Sequence, residues 1–218
     1  MRIRRKPWAR PELAEWENCI DNPAENRGKW HSAFKKYRPL MIELGCGKGG
    51  FISKLAVANP DINYIAVDIK SEMLGLAMRN IKREYAEAKR EIDNVLIFSQ
   101  ESMLINKVFS SEDVCERIYI NFCNPWTIGK HKKRRLTHTR QLANYKTFLD
   151  KEKGEIYFKT DNDELFEESI EYFKEEGFEI TKITHDLHNE MIFEDIRTEN
   201  EQMFTEQGIK IKALIAKI

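Results

Sequence analysis

Cysteines are few in this sequence and follow no pattern. Cys19, Cys46, Cys115 and Cys123 are scattered over 218 residues without one C-x-x-C pair. That excludes a disulfide framework and the usual zinc-ligand spacings, so reduced thiols, a cytoplasmic setting and no metal site are expected. Net charge is also missing, because Lys+Arg and Asp+Glu both total 36. The balance excludes a nonspecific polycation but not a nucleic-acid partner read through local basic clusters. No apolar run approaches the roughly 20 residues of a membrane span. The basic first residues are not followed by an apolar segment, so they do not read as a secretory signal. Internal repeats and low-complexity tracts are absent as well.

What is present describes a soluble chain with a highly charged surface, 41% hydrophobic and 33% charged. It is long enough for one large domain with a substantial core. Residues 1–38 read as a basic arm (Met1–Arg10) followed by packing helices, with Trp16, Trp30, Phe34 and Tyr37 available to cover the rest. Residues 39–218 read as the main body of that single domain. Strands are expected at 40–44, 63–68, 95–98, 117–122, 155–160, 178–184 and 209–217, the last alternating along Ile209, Ile211, Ala213 and Ile215. Helices are expected at 49–58, at 71 to about 92, at 104–109, at about 138–151, and at 162–176, where Asp161 is placed to cap. Strands alternating with helices imply an α/β fold with a mainly parallel sheet of about seven strands and helices on both faces.

The stretch Met41-Ile-Glu-Leu-Gly-Cys-Gly-Lys-Gly-Gly50 organises this pattern. A strand, a glycine turn and a helix in succession form the opening of a nucleotide-binding α/β domain. Gly45, Gly47 and Gly49 let the backbone pass close to a ligand, and the helix N-terminus offers free N–H groups. The spacing of Gly45, Gly47 and Gly50 also satisfies the dinucleotide pattern, so spacing alone leaves NAD open. Glu43 favours another ligand. A carboxylate at the strand end repels a pyrophosphate but suits S-adenosylmethionine, which carries an ammonium, a sulfonium and no phosphate.

Ligands of open α/β sheets bind at the carboxyl ends of the strands. Each central strand here ends near a polar residue: Glu43, Asp68, Gln100, Asn124 and Asp161. Asp68 suits two ribose hydroxyls, and Gln100 suits an adenine edge. Asn121-Phe-Cys-Asn-Pro-Trp126 offers an amide acceptor, a stiff proline turn and a stacking face, a combination suited to presenting a base nitrogen for methyl transfer. The run Lys130-His-Lys-Lys-Arg-Arg135, with His138 and Arg140 behind it, follows within a few residues, which favours phosphate contact over a merely solvated loop. His185 and His188 lack a third ligand and read as structural.

Together these residues resemble the bacterial tRNA (guanine-N7)-methyltransferase family nearly end to end. The likeness is carried by Arg-Arg-Lys-Pro-Trp-Ala near the start, Asn22-Pro-Ala with Gly28-Lys-Trp30, Ile42-Glu-Leu-Gly-Cys-Gly-Lys-Gly49 and Asn59-Pro-Asp-Ile-Asn-Tyr-Ile65. It continues through Pro125-Trp126, Lys133-Arg-Arg-Leu136, Phe158-Lys-Thr-Asp-Asn162, Asp186-Leu-His-Asn189 and Thr198-Glu-Asn-Glu201. The resemblance implies a Rossmann-like class I methyltransferase that uses S-adenosylmethionine to modify a guanosine in the tRNA variable loop. It implies cofactor contacts at Glu43, Asp68, Gln100 and Asn124. It implies guanosine or tRNA contacts at Asp161, Thr198, Glu199, Asn200 and Glu201, and RNA contacts along Lys130, Lys132, Lys133, Arg134 and Arg135. Homo-oligomerisation is compatible with the sequence and not fixed by it.

Three segments depart from the family pattern. Asp-Pro-Trp-Pro followed by lysine is Asn124-Pro-Trp-Thr-Ile128 here, the usual aspartate after the third strand is Gln100, and Thr-Glu-Tyr-Glu is Thr-Glu-Asn200-Glu. Guanine N7 is a bare lone pair, so no proton has to leave before methyl transfer. An aspartate would act there by orientation and charge, and Asn124 keeps one acceptor without the charge. Losing a charged hydrogen-bond partner costs about 1.5–3 kcal/mol, roughly 10- to 100-fold in rate, so weakened or retargeted catalysis is expected. The alternatives are methylation of another nucleic-acid base, a non-catalytic RNA- or cofactor-binding relative, and, more remotely, an NAD-dependent dehydrogenase.

Overall fold

Trp8 opens the first helix, α1 (Ala9–Ala14), whose buried Ala9 and Leu13 face inward. The guanidinium of Arg79 lies 3.5 Å from the centre of the Trp8 ring and pairs with Glu12 at 2.5 Å. Arg4, Arg5 and Arg10 stay exposed. These details come from a computed structural model that describes residues 4–192 and 196–218, with the side chain of Glu199 also outside the description. Met1, Arg2 and Ile3 of the expected arm therefore lie outside the described residues. The chain divides into two compact units, Met1–Asp113 and Val114–Ile218.

In the first unit, two short 3-10 turns (Pro23–Asn26 and Trp30–Ala33) follow α1. Trp30 is fully buried, stacks on Phe98 and Phe109, and donates its indole N–H to the Val108 carbonyl at 2.7 Å. The stretch Leu40–Leu44, apolar but for Glu43, is β1, buried at every position. It is followed by α2 (Gly50–Ala58), β2 (Asn63–Asp68), α3 (Ser71–Glu87) and β3 (Val95–Ser99). β1, β2 and β3 are parallel neighbours, with Leu44 opposite Val67 and Asp68 opposite Ser99. Continuous burial is what two-sided parallel strands require. The outer edge of β3 is covered by residues 18–20, through Ile20 N–H to the Ile97 carbonyl and Ile97 N–H to the Asn18 carbonyl.

The second unit contains β4 (Arg117–Asn121), a 3-10 turn at Gly129–Arg134, α4 (Thr139–Tyr145), β5 (Glu155–Thr160) and α5 (Asp163–Glu175). β6 (Glu179–Thr184), α6 (Leu187–Glu190), α7 (Glu199–Glu206) and β7 (Lys212–Lys217) complete it. β4 and β5 are parallel, whereas β7 runs antiparallel between β5 and β6. The seven strands form a sheet in the order β3-β2-β1-β4-β5-β7-β6. This is the mainly parallel α/β sheet that the sequence pattern implies.

Several boundaries differ from expectation. α3 stops at Glu87 because Lys89 takes a left-handed φ of 53° and Arg90 N–H turns back to the Tyr85 carbonyl; no glycine announces this end. α4 stops at Tyr145, and residues 148–150 leave the helix to pair with Cys115 through two backbone hydrogen bonds of 2.8 Å. The segment expected as a helix at 104–109 is a 3-10 stretch, Ser102–Lys107, broken at Leu104. Asn162, not Asp161, caps α5, accepting from Leu165 N–H at 2.7 Å. β7 is buried at five consecutive positions from Lys212, so both of its faces are covered and the expected alternation is absent.

Candidate active site

The glycine turn closes over the end of β1 by three backbone bonds. Gly45 and Cys46 N–H groups both donate to the Val67 carbonyl, and Gly49 N–H donates to the Cys46 carbonyl. Gly49 sits at φ 71° before the first turn of α2. A Cβ there would lie 2.7 Å from the Ala77 Cβ, so glycine is needed for both its φ and its size. Gly47, at φ 54°, is different: nothing lies within 4 Å of the place its Cβ would take. That open backbone is what a ligand approaching the turn requires.

Asp68, the last residue of β2, ties the turn down. Its two carboxylate oxygens accept the N–H groups of Gly47 and Lys70, each at 2.9 Å. Burial raises its carboxyl above the ordinary aspartate range, against the opposing pull of those N–H groups. Glu43, on β1, is 2% exposed. The buried Cys46 thiol is pushed well above its usual range, first by burial and then by the charges of Asp68 and Glu43. The turn therefore sits in negative potential, which suits an ammonium and a sulfonium and disfavours a pyrophosphate. Acidic acceptors beside an open glycine backbone fit S-adenosylmethionine. Gln100 follows β3 directly; its backbone N–H bonds the Asp68 carbonyl at 3.1 Å, and its amide reaches the Glu101 carbonyl at 3.3 Å. Glu43, Asp68 and Gln100 thus share the carboxyl edge of three adjacent parallel strands. Near the start of α3, Arg5, Lys6 and Arg10 line a cavity of about 300 Å³ with Ser71 and Glu72.

In the second unit, the loop after β4 is strained. Phe122 and Trp126 hold φ of 50° and 42°, values that cost roughly 1–2 kcal/mol each for residues with a side chain. Asn124 is exposed, and its Oδ1 accepts the Trp126 N–H at 3.0 Å, which makes it the pivot of the turn. Half-buried Trp126 lies between His131, 5.8 Å away, and the guanidinium of Arg134, 5.3 Å from the ring centre.

The basic run does not act as one surface. Lys130, Lys133, Arg134 and Arg140 are exposed, as is Ile128. Arg135 is fully buried: its Nε donates to the Pro125 carbonyl at 2.7 Å, and its guanidinium pairs with Glu168 and Glu164. Lys132 pairs with the same two glutamates. This corrects the expectation that Arg135 contacts RNA. A guanidinium with no exposed surface cannot reach a phosphate, and its contacts brace the Asn-Pro-Trp loop from behind. Lys132 is committed to α5 in the same way.

Asp161 follows β5, and its carbonyl accepts the Lys212 ammonium at 3.1 Å. Thr198 and Glu201 are buried and form a capping box on α7: Thr198 Oγ1 accepts Glu201 N–H at 2.9 Å, and the Glu201 carboxylate accepts Thr198 N–H. Asn200 is exposed, and the side chain of Glu199 lies outside the described residues. Lys159 and Lys212, neither of them among the expected site residues, are both buried. The available signal was a lysine inside an otherwise apolar strand, which demands an anionic or carbonyl partner. His185 and His188 have separate partners, Glu167 and Thr205. Among the described residues there is no group of three potential metal ligands, and no helix is long and apolar enough to cross a membrane.

The fold and the acidic glycine turn define a Rossmann-like class I methyltransferase. Solved structures agree on the fold: the 16S rRNA methyltransferase KamB matches with a TM-score of 0.60 at 13% identity, covering 84% of this chain and 88% of that one. An antibiotic-related methyltransferase matches with a TM-score of 0.55 at 18% identity, covering 82% and 85%. The Methyltransf_4 family model, described as "Putative methyltransferase", matches residues 37–214. The chain is 61% identical over 216 residues to the tRNA (guanine-N(7)-)-methyltransferase of Clostridium beijerinckii, covering 99% of this chain and 98% of the relative. It is 58% identical over 218 residues to that of Clostridium perfringens strain 13, covering 100% and 99%. The chain belongs to the tRNA (guanine-N(7)-)-methyltransferase family.

Proposed function

We propose that this protein methylates N7 of a guanosine in the tRNA variable loop, with S-adenosylmethionine as the donor. The reading is carried by identity at the level of 61% along the whole chain to a relative of that name. When bound, S-adenosylmethionine supplies the methyl group on an electrophilic sulfonium carbon. Glu43 and the Gly45–Gly49 turn hold its methionine end, Asp68 takes the ribose hydroxyls, and Gln100 faces the adenine. On the acceptor side, Asn124 and Asp161 accept hydrogen bonds from the guanine N1–H and amino group. Trp126 stacks on the base, and Thr198, Asn200 and Glu201 close that side. Lys130, Lys133 and Arg134, with the basic arm, take the phosphates.

Little covalent chemistry falls to the protein. Bound S-adenosylmethionine would offer the N7 lone pair a methyl carbon, the carbon–sulfur bond breaking and the positive charge passing from sulfur to the guanine ring. No residue has to remove a proton. Catalysis is positioning plus stabilisation of charge appearing on the purine. Nucleoside mass spectrometry of tRNA treated with the protein and labelled S-adenosylmethionine tests the proposal. Label in 7-methylguanosine is the expected result. Label in another nucleoside retargets the enzyme, and binding of tRNA without label overturns catalysis.

A further inference from the structure

Lys159 is 3% exposed near the end of β5, and its ammonium meets the Glu201 carboxylate, itself 4% exposed, at 2.5 Å. The same carboxylate closes the capping box that starts α7. The backbone of Lys159 makes a second connection: its carbonyl accepts the N–H of Phe122 at 2.9 Å. Phe122 is the strained residue two before Asn124. Its ring lies 5.8 Å from that of Phe204 on α7, and both rings pack on Leu187, Ile211 and Ala213. One residue thus ties the first turn of α7 by its side chain and the root of the Asn-Pro-Trp loop by its main chain.

A buried ion pair is a poor way to gain stability, since well-packed apolar residues of similar volume do as well or better. What it supplies is a single geometry, because a desolvated ammonium has few satisfactory alternatives. We infer that Lys159 is a positioning residue for methyl transfer: through Glu201 it sets the register of α7, and so the placement of Thr198–Glu201 against the acceptor base. This rests on the assignment of Thr198–Glu201 to the acceptor side. It also changes the role of Glu201 there, from direct contact with substrate to one half of a buried strut. Lys159 is buried away from any surface that RNA could reach, so its contribution belongs in kcat and not in tRNA affinity.

The test compares Lys159→Met, Glu201→Gln and the double variant in the full-length protein. Glutamine at position 201 keeps the capping box and removes only the charge. Each single variant is expected to lower kcat roughly 10- to 100-fold, with tRNA KM and S-adenosylmethionine Kd within about threefold of wild type. The double variant is expected to be no worse than about threefold below the weaker single, because the two residues act as a unit. Hydrogen exchange over residues 196–206 gives a readout independent of activity, and faster exchange is expected in both single variants. A Lys159→Met enzyme with wild-type kcat, or losses that multiply in the double variant, overturns the inference. If Lys159→Met does not fold, unchanged kcat and unchanged exchange in Glu201→Gln overturn it equally. Wild-type protein that fails to label tRNA counts against the proposed function alone, and the exchange comparison still decides whether the pair positions α7.

Discussion

The carboxylate of Asp68 holds the backbone N–H of Gly47 at 2.9 Å. The end of β2 therefore shapes the glycine turn as well as presenting an acid to a ribose. Asp68→Asn keeps an acceptor but loses the charge and half of the paired geometry. S-adenosylmethionine affinity is expected to fall about 10- to 100-fold, the value of one charged hydrogen-bond partner. Isothermal calorimetry measures it, and an unchanged Kd would remove Asp68 from the cofactor site.

The same residue predicts a pH dependence. Burial raises the Asp68 carboxyl, opposed by the N–H groups of Lys70 and Gly47. A raised value means that protonation on acidification begins at a higher pH than for an ordinary aspartate. The protonated acid no longer accepts two hydroxyl hydrogen bonds. Cofactor affinity is therefore full well above that value and declines as pH falls through it. Calorimetry between about pH 7.5 and about pH 4.5 is expected to show the decline in wild type and a flatter profile in Asp68→Asn.

Two glycines of one turn separate stability from binding. Gly49→Ala places a Cβ 2.7 Å from the Ala77 Cβ and 2.9 Å from its Cα, at positive φ. It is expected to destabilise the fold by about 2–4 kcal/mol, combining backbone strain and overpacking. Gly47→Ala meets no protein atom within 4 Å. It is expected to cost about 1 kcal/mol, a few degrees in Tm, while cofactor affinity falls at least about tenfold. Thermal melts with and without S-adenosylmethionine distinguish the two; equal melts for both variants would contradict this division.

Asn124 accepts the Trp126 N–H through Oδ1, and an aspartate accepts it equally well. Asn124→Asp therefore changes charge without undoing the turn. Turnover on unmodified tRNA is expected to rise roughly 10- to 100-fold if charge at this position stabilises the cationic purine. No gain in rate would show that the asparagine costs this enzyme nothing.

The basic run separates in the same manner. Lys133→Ala and Arg134→Ala remove exposed charges, and each is expected to weaken tRNA binding and lower the salt slope by about one, with Tm unchanged. Arg135→Ala removes a buried guanidinium from Pro125 and Glu168. It is expected to cost about 2–3 kcal/mol in stability, less than a fully buried pair because Glu168 keeps Lys132 and partial exposure. Filter binding across a salt series and thermal denaturation measure the two effects.

The parallel strands were legible because a strand buried on both faces must be mostly apolar, as Leu40–Ile42 and Tyr64–Val67 are. Their carboxyl ends were legible for the same reason, since Glu43 and Asp68 interrupt those runs. The short helix α7 was not read from the sequence, although Thr198-x-x-Glu201 is a capping-box signature. Its Phe204 packs against Phe122, a partner far away in the chain that local spacing does not announce.

Sequence alone determined the α/β class, the acidic glycine turn and the family of the chain, because each is written in adjacent residues and their spacing. Tertiary structure decided which charges serve binding and which serve the frame. Arg134 and Arg135 are neighbours of one type in one run, yet one is exposed beside Trp126 and the other is buried beneath Pro125. Lys159 and Glu201 are 42 residues apart, and nothing local to either position announces the partner. The fate of a charge depends on what folds over it, and that is a property of long-range packing.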